Sequence, residues 1–146
     1  MPGLFDTIEI NGIRLKNRLV MPPMATKMAT EEGGVTDRHI KHYTARARGG
    51  VGLIIIEHTY VSKDGQMSPG QMGLYEDKLI PGFERLVNAI HSEGAKVAIQ
   101  LTHAGAKASR DITGQQPSGP SNIAPLKGSE APRPLTIPEM NTIIKA

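Results

Sequence analysis

The sequence predicts an α/β fold built around a parallel sheet. Two apolar runs, residues 51–56 and Lys96–Thr102, are typical of strands that are buried on both faces. The segment before each run places apolar residues at helical spacing, so helices alternate with strands along the chain. Strands that alternate with helices usually pair in parallel, because each crossover helix returns the chain to the same end of the sheet. We therefore expect a β-α-β-α-β unit over residues 17–103.

A β-hairpin is expected before this unit, over residues 1–16. Residues 7–10 and 13–15 are two short segments rich in β-branched side chains, and Asn11-Gly12 lies between them. Asn-Gly suits a two-residue type I′ turn, which needs positive φ at both central positions. The hairpin should therefore cap the N-terminus of the domain.

The first βα unit begins with a short strand at residues 19–21, which a pair of prolines ends. Thr36 is a good N-cap for the helix that follows, and Gly49-Gly50 supplies its C-terminal stop. The second apolar strand, residues 51–56, should end at Glu57-His58. The predicted buried stripe of the first helix consists of Ile40, Tyr43 and Ala47.

A second helix should begin near Pro81 and end at Gly94, because proline is favoured at the first helical position and glycine after the last. Residues 104–135 carry five prolines and predict a long irregular loop. Thr136 and Glu139 then have the spacing of a capping box, so residues 136–146 should start a third helix. The apolar face of the second helix consists of Phe83, Leu86, Val87 and Ile90.

Composition excludes several classes of protein. The 146 residues include no cysteine, so disulfides, thiolate metal sites and cysteine nucleophiles are excluded within this chain. Aromatic residues make up 3%, and the net charge of +3 comes from scattered side chains, which argues against a nucleic-acid binder. With no long apolar run and no signal-like N-terminus, we expect no membrane association and a cytoplasmic protein.

Three parallel strands would leave two unpaired sheet edges, which natural proteins usually avoid. An eight-stranded β/α barrel needs about 250 residues, and the three parallel strands predicted here are fewer than half of its strands. We therefore expect the remainder of a barrel, or a second chain, as a partner.

The end of the last predicted strand is polar. Gln100, Thr102 and His103 lie where the strand runs out, and alternation places Gln100 and Thr102 on one face. Parallel α/β sheets bind ligands at the carboxyl ends of their strands. An amide there can both donate and accept hydrogen bonds, so Gln100 could recognise the edge of a heterocycle. The alternative is that Gln100 caps the backbone of a loop.

Five short motifs support a family resemblance: residues 16–24, 43–57, 99–105, 117–118 and 134–136. In this order and spacing the chain resembles the N-terminal part of the old yellow enzyme family, the FMN-dependent NAD(P)H:flavin oxidoreductases that include 2,4-dienoyl-CoA reductases. The resemblance implies the N-terminal portion of a (β/α)8 TIM barrel, with the hairpin and about three βα units. It also implies FMN as cofactor, NAD(P)H as reductant, and hydride passing through flavin N5 to an activated alkene or other small-molecule acceptor.

The resemblance also implies a set of cofactor-binding residues. Pro23, Met24 and Ala25 match the segment whose backbone lies against the flavin, although Ala25 lacks the sulfur or hydroxyl that the family usually has there. Gln100 matches the amide that pairs with the flavin pyrimidine edge. His58 stands where relatives often have Ala or Gly, and it either contacts the flavin or substrate or points away.

No catalytic residue and no metal site are expected in this chain. In the family, the substrate-orienting pair, the proton donor and the phosphate-binding loops follow the third strand unit, beyond the residues matched here. His39 and His42 are spaced i, i+3, but they are expected on a helix surface without a third ligand, and His103 is expected to be structural. We therefore expect the chain to be incompetent as a reductase by itself. The alternative is a non-catalytic half-barrel that forms homo-oligomers as a binding module.

Overall fold

The computed structural model describes residues 1–146, and its centre is a parallel sheet flanked by helices, which confirms the predicted α/β class. No helix is long and apolar enough to cross a membrane. The strands are β1 (Ile8–Ile10), β2 (Ile13–Leu15), β3 (Val20–Met21), β4 (Leu53–Tyr60), β5 (Met72–Gly73), β6 (Lys96–Thr102), β7 (Ser118–Gly119) and β8 (Arg133–Pro134). The helices are α1 (Asp37–Arg48), α2 (Ile80–Ser92), α3 (Arg110–Thr113) and α4 (Ile137–Lys145).

Strand β4 is the middle strand of the sheet. Strand β6 pairs with it in parallel along one side, from Leu53 to Tyr60. On the other side β3 pairs with its beginning and β5 with its end. The short strand β5 was not predicted, because two residues are too few to show a periodic pattern.

Strand β4 is longer than predicted. It continues through Glu57 and His58 to Tyr60, whereas the sequence places its end at Glu57-His58. Its register with β6 shifts in this region, since Ile56 pairs with Ile99 but Thr59 pairs with Leu101. One extra residue therefore stands on β4, which is a β-bulge. Glu57 and His58 lie within the strand because the bulge accommodates the extra residue and pairing with β6 resumes at Thr59.

The main core lies between the sheet and helices α1 and α2. Helix α1 begins after Thr36, as predicted, and contributes Tyr43 and Ala47. Helix α2 lies beside α1 and covers β4 and β6 with apolar side chains. The remaining members of this core are Ile54, Ile56, Met72, Phe83, Leu86, Ile90 and Ala95.

The hairpin and the C-terminal segment complete the fold. Strands β1 and β2 pair antiparallel, and their turn residues Asn11 and Gly12 have φ of 46° and 80°. The expectation of an irregular loop over residues 104–135 is wrong in part, because it contains a one-turn 3₁₀ helix, α3 and the paired strands β7 and β8. These elements are too short for periodicity to reveal. The Thr136–Glu139 capping box begins α4.

Candidate functional site

The carboxyl ends of β3, β4 and β6 meet at one edge of the sheet. Residues 23–25 follow β3 after Pro22, His58 lies in the β4 bulge, and Gln100 lies on β6 opposite that bulge. Met24 is 59% exposed, Ala25 and Gln100 are exposed, and Pro23 and His58 are partly buried. The parallel arrangement therefore brings all five sequence-predicted residues to the same edge.

Gln100 has a free side chain. Its amide makes no hydrogen bond within the protein, so it does not cap a loop backbone, and that alternative is wrong. Alternation places it on the face of β6 opposite Val97 and Ile99, which pack towards the core. Its donor and acceptor atoms are both available to a ligand at the sheet edge.

His58 is held by a buried glutamine in the chain before β5. Gln71 is 1% exposed, and its Nε2 lies 3.2 Å from His58 Nδ1 and 3.4 Å from the His58 carbonyl oxygen. Its Oε1 accepts a hydrogen bond of 2.8 Å from the Met67 N–H. Sequence reasoning missed Gln71, because a single polar residue in an irregular segment gives no signal of its partner.

The segment after β3 is tied to β4 by the buried carboxylate of Glu57. The backbone N–H of Thr26 donates to Oε2 at 2.6 Å, and the Thr26 hydroxyl donates to Oε1 at 2.6 Å. The hydroxyl of Tyr43, on α1, lies 3.3 Å from the same Oε1 and accepts from the Glu57 N–H at 3.0 Å. Charge-assisted bonds of this kind are among the stronger ones in proteins. They fix the backbone that immediately follows Pro23, Met24 and Ala25.

His39 lies behind this carboxylate, so its predicted position on a helix surface is wrong. Its side chain is fully buried, and its Nδ1 accepts a hydrogen bond of 3.1 Å from the Thr36 N–H. Burial lowers the pKa of His39, and the nearby Glu57 opposes this to a smaller extent. The spacing carried a signal that was overlooked, since His39 is four residues before Tyr43 and shares its helix face.

His103 has the structural role expected of it. Its Nδ1 accepts from the Gly105 N–H at 3.0 Å, and its Nε2 lies 3.5 Å from Asp64 Oδ2. Burial raises the pKa of Asp64, but the neighbouring Ser62 hydroxyl and His103 ring outweigh it and leave that pKa lowered. These contacts fasten the loop after β4 to the end of β6. Only Nδ1 of the imidazole makes a hydrogen bond, and Nε2 faces the Asp64 carboxylate without one.

A cavity of about 520 Å³ lies elsewhere. It is lined by Met67, residues 106–111 and five residues of the segment between Pro117 and Glu130, and neither Gln100 nor His58 contributes to it. The edge formed by β3, β4 and β6 is instead an open shelf. A ligand there would be covered on one side only by this chain.

Comparison with known proteins identifies the family. The model of the NADH:flavin oxidoreductase / NADH oxidase family matches residues 3–146, which is nearly the whole chain. The chain belongs to this family. Its members use FMN with NAD(P)H as reductant.

Two relatives show how much of such a protein this chain represents. It is 45% identical to an NADH oxidase of Thermoanaerobacter brockii over 146 residues, covering 99% of this chain but 22% of that protein. It is 38% identical to an NADPH dehydrogenase of Clostridium acetobutylicum over 143 residues, covering 98% of this chain and 42% of that protein. The chain therefore spans less than half of either relative.

Comparison with a solved structure also shows that this chain corresponds to part of a larger protein. The old yellow enzyme homologue of Zymomonas mobilis superposes with a TM-score of 0.90 at 29% identity, covering 99% of this chain and 42% of that one. The neighbouring structures of this type are TIM barrels, and this chain covers each of them in part. The α/β arrangement seen here is thus that of a larger fold.

The free polar atoms of the shelf suit a flavin ring. The Gln100 amide offers a donor and an acceptor, and the Nε2 atom of His58 has no partner in the protein. The hydroxyl of Thr102 lies on the same face as Gln100, but it is buried and is therefore not among the atoms offered to a ligand. The pyrimidine edge of a flavin alternates donors and acceptors, so it matches this set.

Proposed function

We propose that this chain is the N-terminal part of an FMN-dependent oxidoreductase that carries reducing equivalents from NAD(P)H to an activated alkene or another small acceptor. Family membership supports the reaction class. The observation that carries the proposal is the meeting of Gln100, His58 and residues 23–25 at one sheet edge, with the Gln100 amide free. FMN, when bound, supplies the hydride chemistry, and the protein supplies position and electrostatics.

Each predicted residue has a specific role in this proposal. The Gln100 amide binds the pyrimidine edge of the flavin, and the backbone of Pro23, Met24 and Ala25 lies against its ring. Thr26 and Glu57 keep that backbone in place through their 2.6 Å hydrogen bonds. Ala25 has an apolar side chain, so it adds contact but no hydrogen bond.

The chain is proposed to form the first part of a (β/α)8 barrel, with a hairpin cap and about three βα units. In this division residues 1–16 are the cap, 17–103 the β-α-β-α-β unit, 104–135 a connecting segment and 136–146 the start of the next helix. The remainder of the barrel, or a second chain, would pair with the outer edge of β6 and complete the site.

On this basis the chain alone lacks the phosphate-binding loops and the proton donor, and it is incompetent as a reductase. Each missing charge-assisted hydrogen bond to the phosphate costs about 1.5–3 kcal/mol of binding free energy. FMN and riboflavin differ in that phosphate alone. The purified chain should therefore bind both with closely similar, weak affinity.

Titration of the chain with FMN and with riboflavin, followed by quenching of flavin fluorescence, tests the proposal. Saturable binding of both ligands at one site per chain supports it. NADH consumption should not exceed that of free FMN at the same concentration. A folded chain that binds neither flavin would contradict the proposed site.

A second candidate is a non-catalytic half-barrel that forms homo-oligomers as a binding module. It is favoured by the outer edges of β3 and β6, which pair with no strand, and by the exposed Val20 and Leu101. Unpaired edges invite pairing with another chain. A stable, colourless homo-oligomer in light scattering, with no uptake of added FMN, would support this candidate against the first.

A further inference from the structure

The orientation of the Gln71 amide is fixed by its neighbours. Its Oε1 accepts from the Met67 N–H, which is a donor only, and its Nε2 faces the His58 carbonyl oxygen, which is an acceptor only. Exchanging the two amide atoms would place donor against donor at 2.8 Å and acceptor against acceptor at 3.4 Å. The Nε2 of Gln71 therefore faces His58.

This orientation determines where His58 carries its proton. The Gln71 Nε2 donates towards His58 Nδ1 across 3.2 Å, so Nδ1 has to be the acceptor. A neutral imidazole with an accepting Nδ1 carries its hydrogen on Nε2. With Gln71 1% exposed, water does not compete for the amide.

The Nε2 atom of His58 is open. It has no partner in the protein, since Gln71 contacts only Nδ1, and His58 is only partly buried, so a ligand can reach it. Gln100 lies opposite on β6, and the apolar Ala25 contributes no donor. His58 therefore presents one N–H donor, at Nε2, near the strand face that carries Gln100.

We propose that Gln71 is a positioning residue that holds His58 as the Nε2–H tautomer, and that this N–H donates to an acceptor atom of the bound flavin ring. The proposal rests on the proposed function for its ligand, but the tautomer is a property of the protein alone. Gln71 acts through His58 and does not itself touch the flavin.

Nitrogen NMR of the histidine rings tests the tautomer without any flavin. At about pH 8.5 the wild-type His58 ring should show the Nε2–H pattern. In Gln71→Glu the carboxylate accepts a hydrogen bond and favours a proton on Nδ1. Gln115→Glu introduces the same charge at an exposed site and should leave the His58 pattern unchanged. The spectrum of the His58→Ala variant identifies which NMR signals belong to the His58 ring.

Flavin titration of the same variants tests the donor role. His58→Ala should weaken riboflavin binding roughly threefold to tenfold, as expected for one hydrogen bond. Gln71→Glu should weaken it by a similar factor, and it should add no further loss in the His58→Ala background, because it acts through the missing ring.

The outcomes separate the inference from the proposed function. An Nδ1–H pattern in the wild type, or full additivity of the two substitutions, would overturn the inference while flavin binding itself stands. Normal riboflavin affinity in His58→Ala would overturn the donor role. A wild-type chain that binds no flavin would overturn both the donor role and the proposed function.

Discussion

The Nε2 atom of His39 lies 3.7 Å from Oε1 of Glu57, and both side chains are fully buried. Because Nδ1 of His39 accepts from the Thr36 N–H, the ring directs its Nε2–H towards the carboxylate. Burial lowers the pKa of His39, with Glu57 opposing and the neighbouring His42 and Arg38 adding to the effect. The folded protein therefore prefers the neutral ring.

Stability should consequently fall as the pH is lowered. The unfolded His39 has an ordinary pKa of about 6.5 and binds a proton more readily than the folded one. The contribution of the neutral His39 ring to the free energy of unfolding is complete above a pH of about 6.5. It is lost as the pH falls towards the lowered pKa that His39 has in the folded protein. The melting temperature between pH 8 and pH 5 should drop less steeply in His39→Gln than in the wild type.

Glutamine is suitable for this substitution because it is favoured at the third position of a helix, where it can still accept from the Thr36 N–H. Part of the slope should remain, since burial also lowers the pKa of His42. Equal pH slopes in the two proteins would show that His39 does not contribute.

Replacing Gln100 by alanine should weaken flavin binding. The free amide is proposed to exchange hydrogen bonds with the pyrimidine edge, and one such bond contributes about 0.5–1.5 kcal/mol, or roughly threefold to tenfold in affinity. Riboflavin titration measures this. Lys96→Ala, at the exposed start of the same strand, is the matched control. Unchanged affinity in Gln100→Ala would refute the role assigned to the amide.

Removing the Thr26 hydroxyl should destabilise the protein. In Thr26→Val the 2.6 Å bond to Glu57 Oε1 is lost, and a buried acceptor is left with weaker contacts. The expected cost is about 1–3 kcal/mol in the free energy of unfolding, measured by urea denaturation. Thr26→Ser retains the hydroxyl and should lie much closer to the wild type. Equal losses in both variants would assign the effect to packing.

A methyl group at Gly65 should also be destabilising. A Cβ there would lie 2.6 Å from His103 Cδ2 and 3.2 Å from the His103 Cα. Because Asp64 and Gly105 hold the ring, overpacking at this point should cost about 1–3 kcal/mol in a urea titration. Gly3→Ala, where the nearest atom is 3.7 Å away, should be close to neutral. A stable Gly65→Ala variant would show that the imidazole can move.

Much of the fold follows from local patterns in the sequence. Helices α1 and α2 begin and end near their capping signals, β6 coincides with its apolar run, and β4 begins within its run and continues beyond it. The polar residues at the end of β6 also indicate Gln100 as a ligand contact, and in the structure its amide makes no hydrogen bond within the protein. These features are local, so the sequence carries them without reference to distant residues.

The missed features depend on contacts between distant parts of the chain. The bulge at Glu57 and His58 exists only relative to the register of β6, and the role of Gln71 depends on an imidazole 13 residues away. His39 was assigned to the surface because polar residues on helices are usually exposed. Its burial becomes intelligible once the carboxylate of Glu57 is placed behind it.

The bulge in β4 has a consequence for how this chain tolerates changes in length. Ile56 packs in the main core and the next residue, Glu57, contacts Tyr43 beside it, so two successive side chains serve the helix side of the strand. Strict alternation would not permit this. Deleting Glu57 or His58 would restore a one-to-one register with β6, and it would remove either the carboxylate or the imidazole. The extra residue of the bulge is therefore what allows this strand to carry both groups, one towards the helices and one towards Gln71.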